Sequence, residues 1–447
     1  MARIYPFRAL RYNPSMVRLQ DVVTQPYDKI TPAMQQAYYQ RSPYNLVRII
    51  LGLPELFDGN GAQDVYRRAA ELFSAWQREG ILTRENEPCV FAYSQTFPVP
   101  GSPPGPQVLC ERQGFIALGE LYDYSENVVF RHEQTLSRPK SDRLNLLRAT
   151  RANFGQIFML YSDPGLTAER LLFTSTAAPD IEVTDEYEVV HRVWRVSDPA
   201  TINLLTTALE DKKLIIADGH HRYETALQYA REHGPEPSQS SAERNPGFPA
   251  LPPRPESAAM MTFVNMDRDG LVILPTHRVV HDLESFDPAR FLENVRPYFS
   301  IESLTQRSPE ALVAALKGSP AKTAFIAITN SGKYLLTANP EPINAALHSL
   351  SERQRSLDTV QLHAIVLQRI LGISPEDISR QTHVRYFRDA AEAIDQVVRN
   401  QANIAFLMKP ATLAELREVA FAGEVMPQKS TDFFPKLLSG LTIYALD

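Results

Sequence analysis

Apolar and polar positions along the chain repeat in two periods, and each predicts a different element. Residues 61–81 place Val65, Ala69, Leu72, Phe73, Trp76 and Ile81 on one side of a helical repeat with charges between them. That spacing predicts an amphipathic helix ending near Gly80. Residues 89–97 and 108–121 read as strands of a long hairpin, separated by a stretch (98–107) with five prolines and two glycines. Residues 142–154 fit a helix with Asp142 at its N-cap. The continuous apolar run at 156–161 fits a buried strand. Residues 181–196 alternate acidic and apolar side chains, predicting one or two exposed strands. A short helix at 201–210 then leads into an Ile-rich strand ending at Ala217.

From 233 to 257 the chain holds seven prolines among Ser, Gly and Glu, which predicts a flexible insertion. Residues 260–265 and 271–280 fit paired strands joined by Asp267-Arg268-Asp269-Gly270. Beyond residue 280 the pattern becomes helix-rich. Helices are expected within 286–316 and at 357–371, 390–400 and 412–422, with strands at 323–328, 333–337 and 404–408. The fold class expected is α+β (mixed α/β), with an N-terminal region over 1–279 and a C-terminal α/β domain over 280–447.

Length and composition narrow the function. A chain of 447 residues exceeds one compact core, and its 44% hydrophobic and 22% charged content is that of a globular protein. With 46 basic and 52 acidic residues the net charge is −6, which argues against nucleic acid as a partner. Two widely spaced cysteines, Cys89 and Cys110, fit a reducing compartment and exclude a Cys-rich metal site. The first residues lack the apolar core of a signal peptide, and no apolar run reaches the ~18 residues of a membrane span. A cytoplasmic protein without a membrane partner is expected.

The densest candidate chemistry lies where the Ile-rich strand meets a helical pattern, at Asp218-Gly219-His220-His221-Arg222. A glycine there lets backbone approach a ligand closely. The first turn of a helix presents unpaired N–H groups and a positive dipole end, which suit phosphate. Arg222 adds a guanidinium fork for phosphate oxygens. Asp218 is placed to orient a metal ion or handle a proton. The plain alternative is a strand-turn-helix with a solvated basic cap.

This motif, with Ala226 four residues after Arg222, resembles the phosphate-binding motif of the ParB/sulfiredoxin superfamily, especially its free serine kinases. The whole chain resembles the bacterial family known as domain of unknown function 1015. The segments that carry this likeness are Gln25-Pro26-Tyr27-Asp28, Arg131-His132-Glu133, Pro139-Lys140-Ser141-Asp142-Arg143, Ala217 to Tyr223, Pro275-Thr276-His277-Arg278 and Met426-Pro427-Gln428-Lys429-Ser430-Thr431. The resemblance implies a ParB/sulfiredoxin-like core. It also implies that Glu133, in its His-Glu pair, is the base that takes the acceptor's hydroxyl proton.

Other chemistries fit less well. A zinc motif His-Glu-x-x-His fails because position 136 is Leu136, and adjacent His220 and His221 would point about a hundred degrees apart on a helix. Sulfiredoxin chemistry needs a cysteine where His220 stands. His132, Lys140, Arg143, Arg278, Lys429 and Ser430 are further binding candidates; Lys140 and Arg143 open a helix pattern, and Arg278 sits on a strand pattern that could leave it exposed. Asp28 could coordinate a metal.

The reading expected is phosphoryl transfer from ATP or ADP to a small hydroxy amino acid, free L-serine being the most concrete. Gly219, His220, His221 and Arg222 would hold phosphates, Asp218 would orient magnesium or the transferring group, and Glu133 would act as base. Magnesium is implied because it bridges phosphates and needs few protein ligands. A nucleotide-binding ParB-like regulatory module and a phosphate-ester hydrolase are the alternatives.

Overall fold

The computed structural model describes residues 1–53, 62–101, 108–133, 137–174, 177–234 and 250–447, without the side chains of 62–64 and 137–140. The fold is mixed α/β, and the chain divides into two compact units. The first comprises Met1–Phe130, Leu136–Val272 and Pro435–Asp447; the second comprises Arg131–Thr135 and Ile273–Phe434. A boundary at 279/280 divides the chain in order, whereas the units interleave: a short segment around Glu133 belongs with the second, and the last residues belong with the first.

The first unit is organised on a mixed sheet. Its strands lie in the order Val129–Phe130, Leu214–Asp218, Ile157–Tyr161, Ala258–Asn265, Leu109–Glu120, Val90–Pro98, Val190–Val196 and Ile181–Thr184, with Ile4–Tyr5 paired to Leu109–Glu120. Leu214–Asp218 runs parallel to Val129–Phe130 and antiparallel to Ile157–Tyr161. Strands buried on both faces need apolar residues throughout, and Leu214-Ile215-Ile216-Ala217 supplies them. Phe115, Met159, Ile216, Tyr223 and Phe263 meet in the core beneath the helix His220–Glu232. A second apolar cluster gathers Tyr12, Phe73, Trp76, Leu146 and Phe154.

The second unit carries an antiparallel sheet in the order Phe299–Ser303, Gly332–Ala338, Ala324–Thr329, Ile404–Leu407, His277–Val280 and Val384–Phe387. The helices Pro309–Gly318 and Ala390–Val398 close one face around Val279, Leu312, Ile326 and Val397. Asp389 caps the second of these helices by accepting from Glu392 N.

Several expected elements shift. The long hairpin forms as read, Val90–Pro98 against Leu109–Glu120. The helix expected from Asp142 begins at Ser137, so Asp142 and Arg143 lie inside Ser137–Thr150 and not in its first turn. Pro139 explains the misreading: proline fits the first turn, where its missing N–H costs nothing, so the helix starts before it. The hairpin expected between 260–265 and 271–280 does not form. Ala258–Asn265 pairs with Leu109–Glu120 and Ile157–Tyr161, while His277–Val280 pairs with Val384–Phe387 and Ile404–Leu407. The Asp-Gly turn signal is local, and longer-range pairing of two buried strands overrides it. Most of the expected insertion, residues 235–249, lies outside the described residues, as does 102–107 of the expected loop. Among the described residues no helix is long and apolar enough to cross a membrane.

Candidate functional site

In the first unit the site grows from the end of the strand Leu214–Asp218. Its register against Ile157–Tyr161 shifts between Ile216 and Asp218. Such a bulge re-aims the side chain that follows it. Gly219 then takes φ +93°, a left-handed conformation that favours glycine, and the helix His220–Glu232 begins at once. A Cβ at Gly219 would stand 3.1 Å from the Arg222 guanidinium. Bulge, glycine and arginine therefore form one folded-back turn.

Arg222 Nη2 donates to Asp218 Oδ2 at 2.7 Å, and Arg222 Nη1 donates to the carbonyl of Gln156. Lys436 Nζ donates to Asp218 Oδ1 at 3.1 Å. Burial opposes ionisation of Asp218, but Lys436, Arg222 and Lys29 outweigh it and hold the carboxyl far below its usual range. Arg112 is also within electrostatic reach. Burial lowers its pKa to about 10, with Tyr93, Cys110 and Asp218 pulling the other way, so it stays charged at neutral pH. One carboxylate thus lies within electrostatic reach of four basic side chains.

A recess partly open to solvent adjoins the motif helix. Ile50, Leu146, Leu147, Phe154, Ile157 and Ala226 form its apolar wall. Tyr27, Arg143, Arg222, Thr225 and Ser439 supply its polar groups, while Gly219, His220 and His221 are not among its lining. Arg143 stacks 4.1 Å from the Tyr27 ring centroid and donates to the Ile50 carbonyl at 2.8 Å. The buried Thr225 hydroxyl has no hydrogen-bond partner among the described residues. His220 is buried and His221 half-buried. Two bonds with Tyr122 fix the helix start: Tyr223 Oη donates to its carbonyl at 2.8 Å and accepts from its N–H at 2.9 Å.

A magnesium ion does not fit the donor set at Asp218. Both carboxylate oxygens are bonded to cationic groups, and among the described residues no group of three His, Cys, Asp or Glu could hold a metal. Asp218 suits an orienting role better than that of a metal ligand.

The other candidates lie in the second unit. His132 is fully buried, with Nε2 2.7 Å from Thr431 Oγ1. Glu133 Oε1 accepts from Lys429 N at 3.1 Å. Lys429 has φ +58°. Its N–H serves Glu133, and its carbonyl accepts from Arg278 Nη2 at 3.0 Å. Ser430 Oγ donates to the Pro427 carbonyl at 2.6 Å. Arg278 is not an exposed strand residue: it is 1% exposed, and its strand is flanked by others on both sides. The Lys140 side chain lies outside the described residues. The sequence reading of the phosphate cradle does not include Lys29, Arg112 or Lys436, whose positions only the fold reveals. The Phe433-Phe434-Pro435 turn before Lys436 was the available signal.

Comparison with known proteins gives a family and a set of distant structures. No match was found among curated protein sequences. Among solved structures, free serine kinase in complex with AMP is similar at 12% identity, covering 68% of this chain and 83% of that one, with a TM-score of 0.34. A conserved hypothetical protein from Pyrococcus furiosus shows 13% identity over 68% of this chain and 87% of that one, with a TM-score of 0.33. SbnI with a C-terminal truncation, from Staphylococcus aureus, shows 8% identity, 72% and 85% coverage and a TM-score of 0.35. Residues 4–360 match the model of the family described as protein of unknown function (DUF1015), and the chain belongs to that family.

Proposed function

We propose that the Asp218–Arg222 turn is the phosphate seat of a nucleotide-dependent phosphotransferase acting on a small hydroxyl metabolite, with free L-serine the leading acceptor. The observation that carries the reading is the set of four basic side chains around the single Asp218 carboxylate. Basic side chains gathered beside a helix start favour phosphate oxygens. Phosphoryl transfer asks a protein mainly to position reactants and neutralise developing charge, which suits such a cradle.

Asp218 anchors Arg222 and Lys436, so the cations are held in place before a ligand arrives. The apolar wall of the recess suits a flat nucleobase, with the Thr225 hydroxyl available to bond it. Magnesium, where used, would arrive on the nucleotide's phosphates and supply charge neutralisation there. The resemblance to free serine kinases, through Asp218-Gly219-His220-His221-Arg222 and His132-Glu133, gives Glu133 the role of base.

The test incubates the full chain with ATP or ADP, magnesium and a panel of hydroxy amino acids, and follows phosphorylated product. Phosphoserine should form, and Glu133→Gln should lower its rate by about a hundredfold or more. Absence of product from every acceptor, with nucleotide bound, would overturn the kinase reading.

A further inference from the structure

The second unit buries polar groups that its own structure leaves incomplete. Arg278 is 1% exposed on the strand His277–Val280, directly opposite Tyr386 on Val384–Phe387. Its guanidinium lies 5.6 Å from the Tyr386 ring centroid. Nη1 donates to the Thr276 carbonyl and Nη2 to the Lys429 carbonyl, but Nε has no partner among the described residues. The buried Tyr386 hydroxyl, His363 Nε2 and Gln361 Oε1 lack partners there as well. Buried polar atoms are nearly always bonded, and a buried cation whose only acceptors are carbonyls is costly.

These groups share one neighbourhood. The charge of Arg278 acts on Asp358, His363 and Tyr386. Asp358 opens the helical segment that continues into Leu362–Ile370, where Leu371 N donates to the Val366 carbonyl five residues back at 2.9 Å. Such π-helical turns are rare and recur at functional sites. Here the wide turn carries His363.

We propose that this part of the second unit is a binding site for a small α-amino acid, with Arg278 receiving its carboxylate and Asp358 its ammonium group. The mixed charge selects this class. Asp358 and Glu133 both act electrostatically on Arg278 and would oppose a multiply charged phosphate, whereas a zwitterion meets both signs. The Tyr386 hydroxyl and His363 Nε2 would complete the carboxylate's hydrogen bonds. The proposal deepens the phosphotransfer reading by assigning residues that would hold an amino-acid acceptor, and rests on that reading for its purpose.

Asp358 adds a signature. Burial raises its pKa to about 7, Arg278 and Lys409 pull it down, and Glu415 pushes it up. A ligand ammonium would draw the proton off, so binding near neutral pH releases a proton and tightens as pH rises through 7.

Titration calorimetry on the full chain without nucleotide tests this, using L-serine, L-alanine, glycine, acetate, methylammonium and inorganic phosphate. The amino acids should bind on the order of a hundredfold more tightly than the three single-function ions. Asp358→Asn should cost a similar factor and abolish proton release, read from heats in buffers of different ionisation enthalpy. Tyr386→Phe, the milder change, should weaken binding about tenfold. Lack of amino-acid binding by the folded protein, unchanged affinity in both variants, or tighter phosphate binding would each overturn the proposal. With nucleotide absent, such a failure leaves the first unit's phosphate seat to its own test.

Discussion

At the scale of single residues, Asp218 binds the turn together. Its carboxylate joins Arg222 and Lys436, residues far apart in sequence, and removing its charge would leave cations facing one another. Asp218→Asn should therefore destabilise the first unit by about 3 kcal/mol at pH 7, measured by chemical denaturation. The folded carboxyl titrates far below its unfolded value near 3.9, so its stabilisation is complete above about pH 5 and fades as pH falls. The gap between wild type and variant should close in acid. A gap that stays constant from pH 7 to pH 3 would show that the carboxylate's charge is not what matters. The sequence marked Asp218, Gly219 and Arg222 by their placement at a strand end. It could not mark Lys29 or Arg112, because lone basic residues at 29 and 112 look like any solvated charge until the fold brings them within reach of Asp218. Arg278 misled for the same reason: a basic residue on a strand gives no hint that strands flank it on both sides.

At the scale of elements, the strand-to-helix turn depends on a conformation and an anchor. Gly219→Ala meets a positive φ and places a methyl 3.1 Å from the Arg222 guanidinium. It should cost about 1–2 kcal/mol and displace Arg222, lowering nucleotide affinity as well as stability. Tyr223→Phe loses two hydrogen bonds to Tyr122 while keeping the ring in the core. A loss of about 1–3 kcal/mol is expected, because the Tyr122 N–H and carbonyl stay buried without their partner; an unchanged melting temperature would contradict the anchoring role. Elements with strong periodicity were legible, as the hairpin Val90–Pro98 with Leu109–Glu120 and the helix Ala62–Arg78 demonstrate. Those settled by distant pairing were not. The strand Ala258–Asn265 is buried along its whole length, and nothing in its sequence reveals that its neighbours are Leu109–Glu120 and Ile157–Tyr161.

At the scale of the whole molecule, net charge does not foretell the local grouping of charge. The chain carries −6 overall, yet four basic side chains gather at the Asp218 turn. An anionic ligand would thus be held by focused local charge and not drawn by a global field, and its affinity should fall as salt rises. The mixed α/β class was legible from alternating helical and strand periods. The interleaving of the units was not, because residues 131–135 and 435–447 carry no compositional mark of the unit they join. The most direct test of the central claim is calorimetric titration of ADP and ATP into wild type, Arg222→Ala and Lys436→Met at two salt concentrations. Wild type should bind with affinity that weakens at higher salt, and each variant should lose about tenfold or more. Failure of wild type to bind either nucleotide, or equal binding by all three proteins, would contradict the assignment of this turn as a phosphate seat.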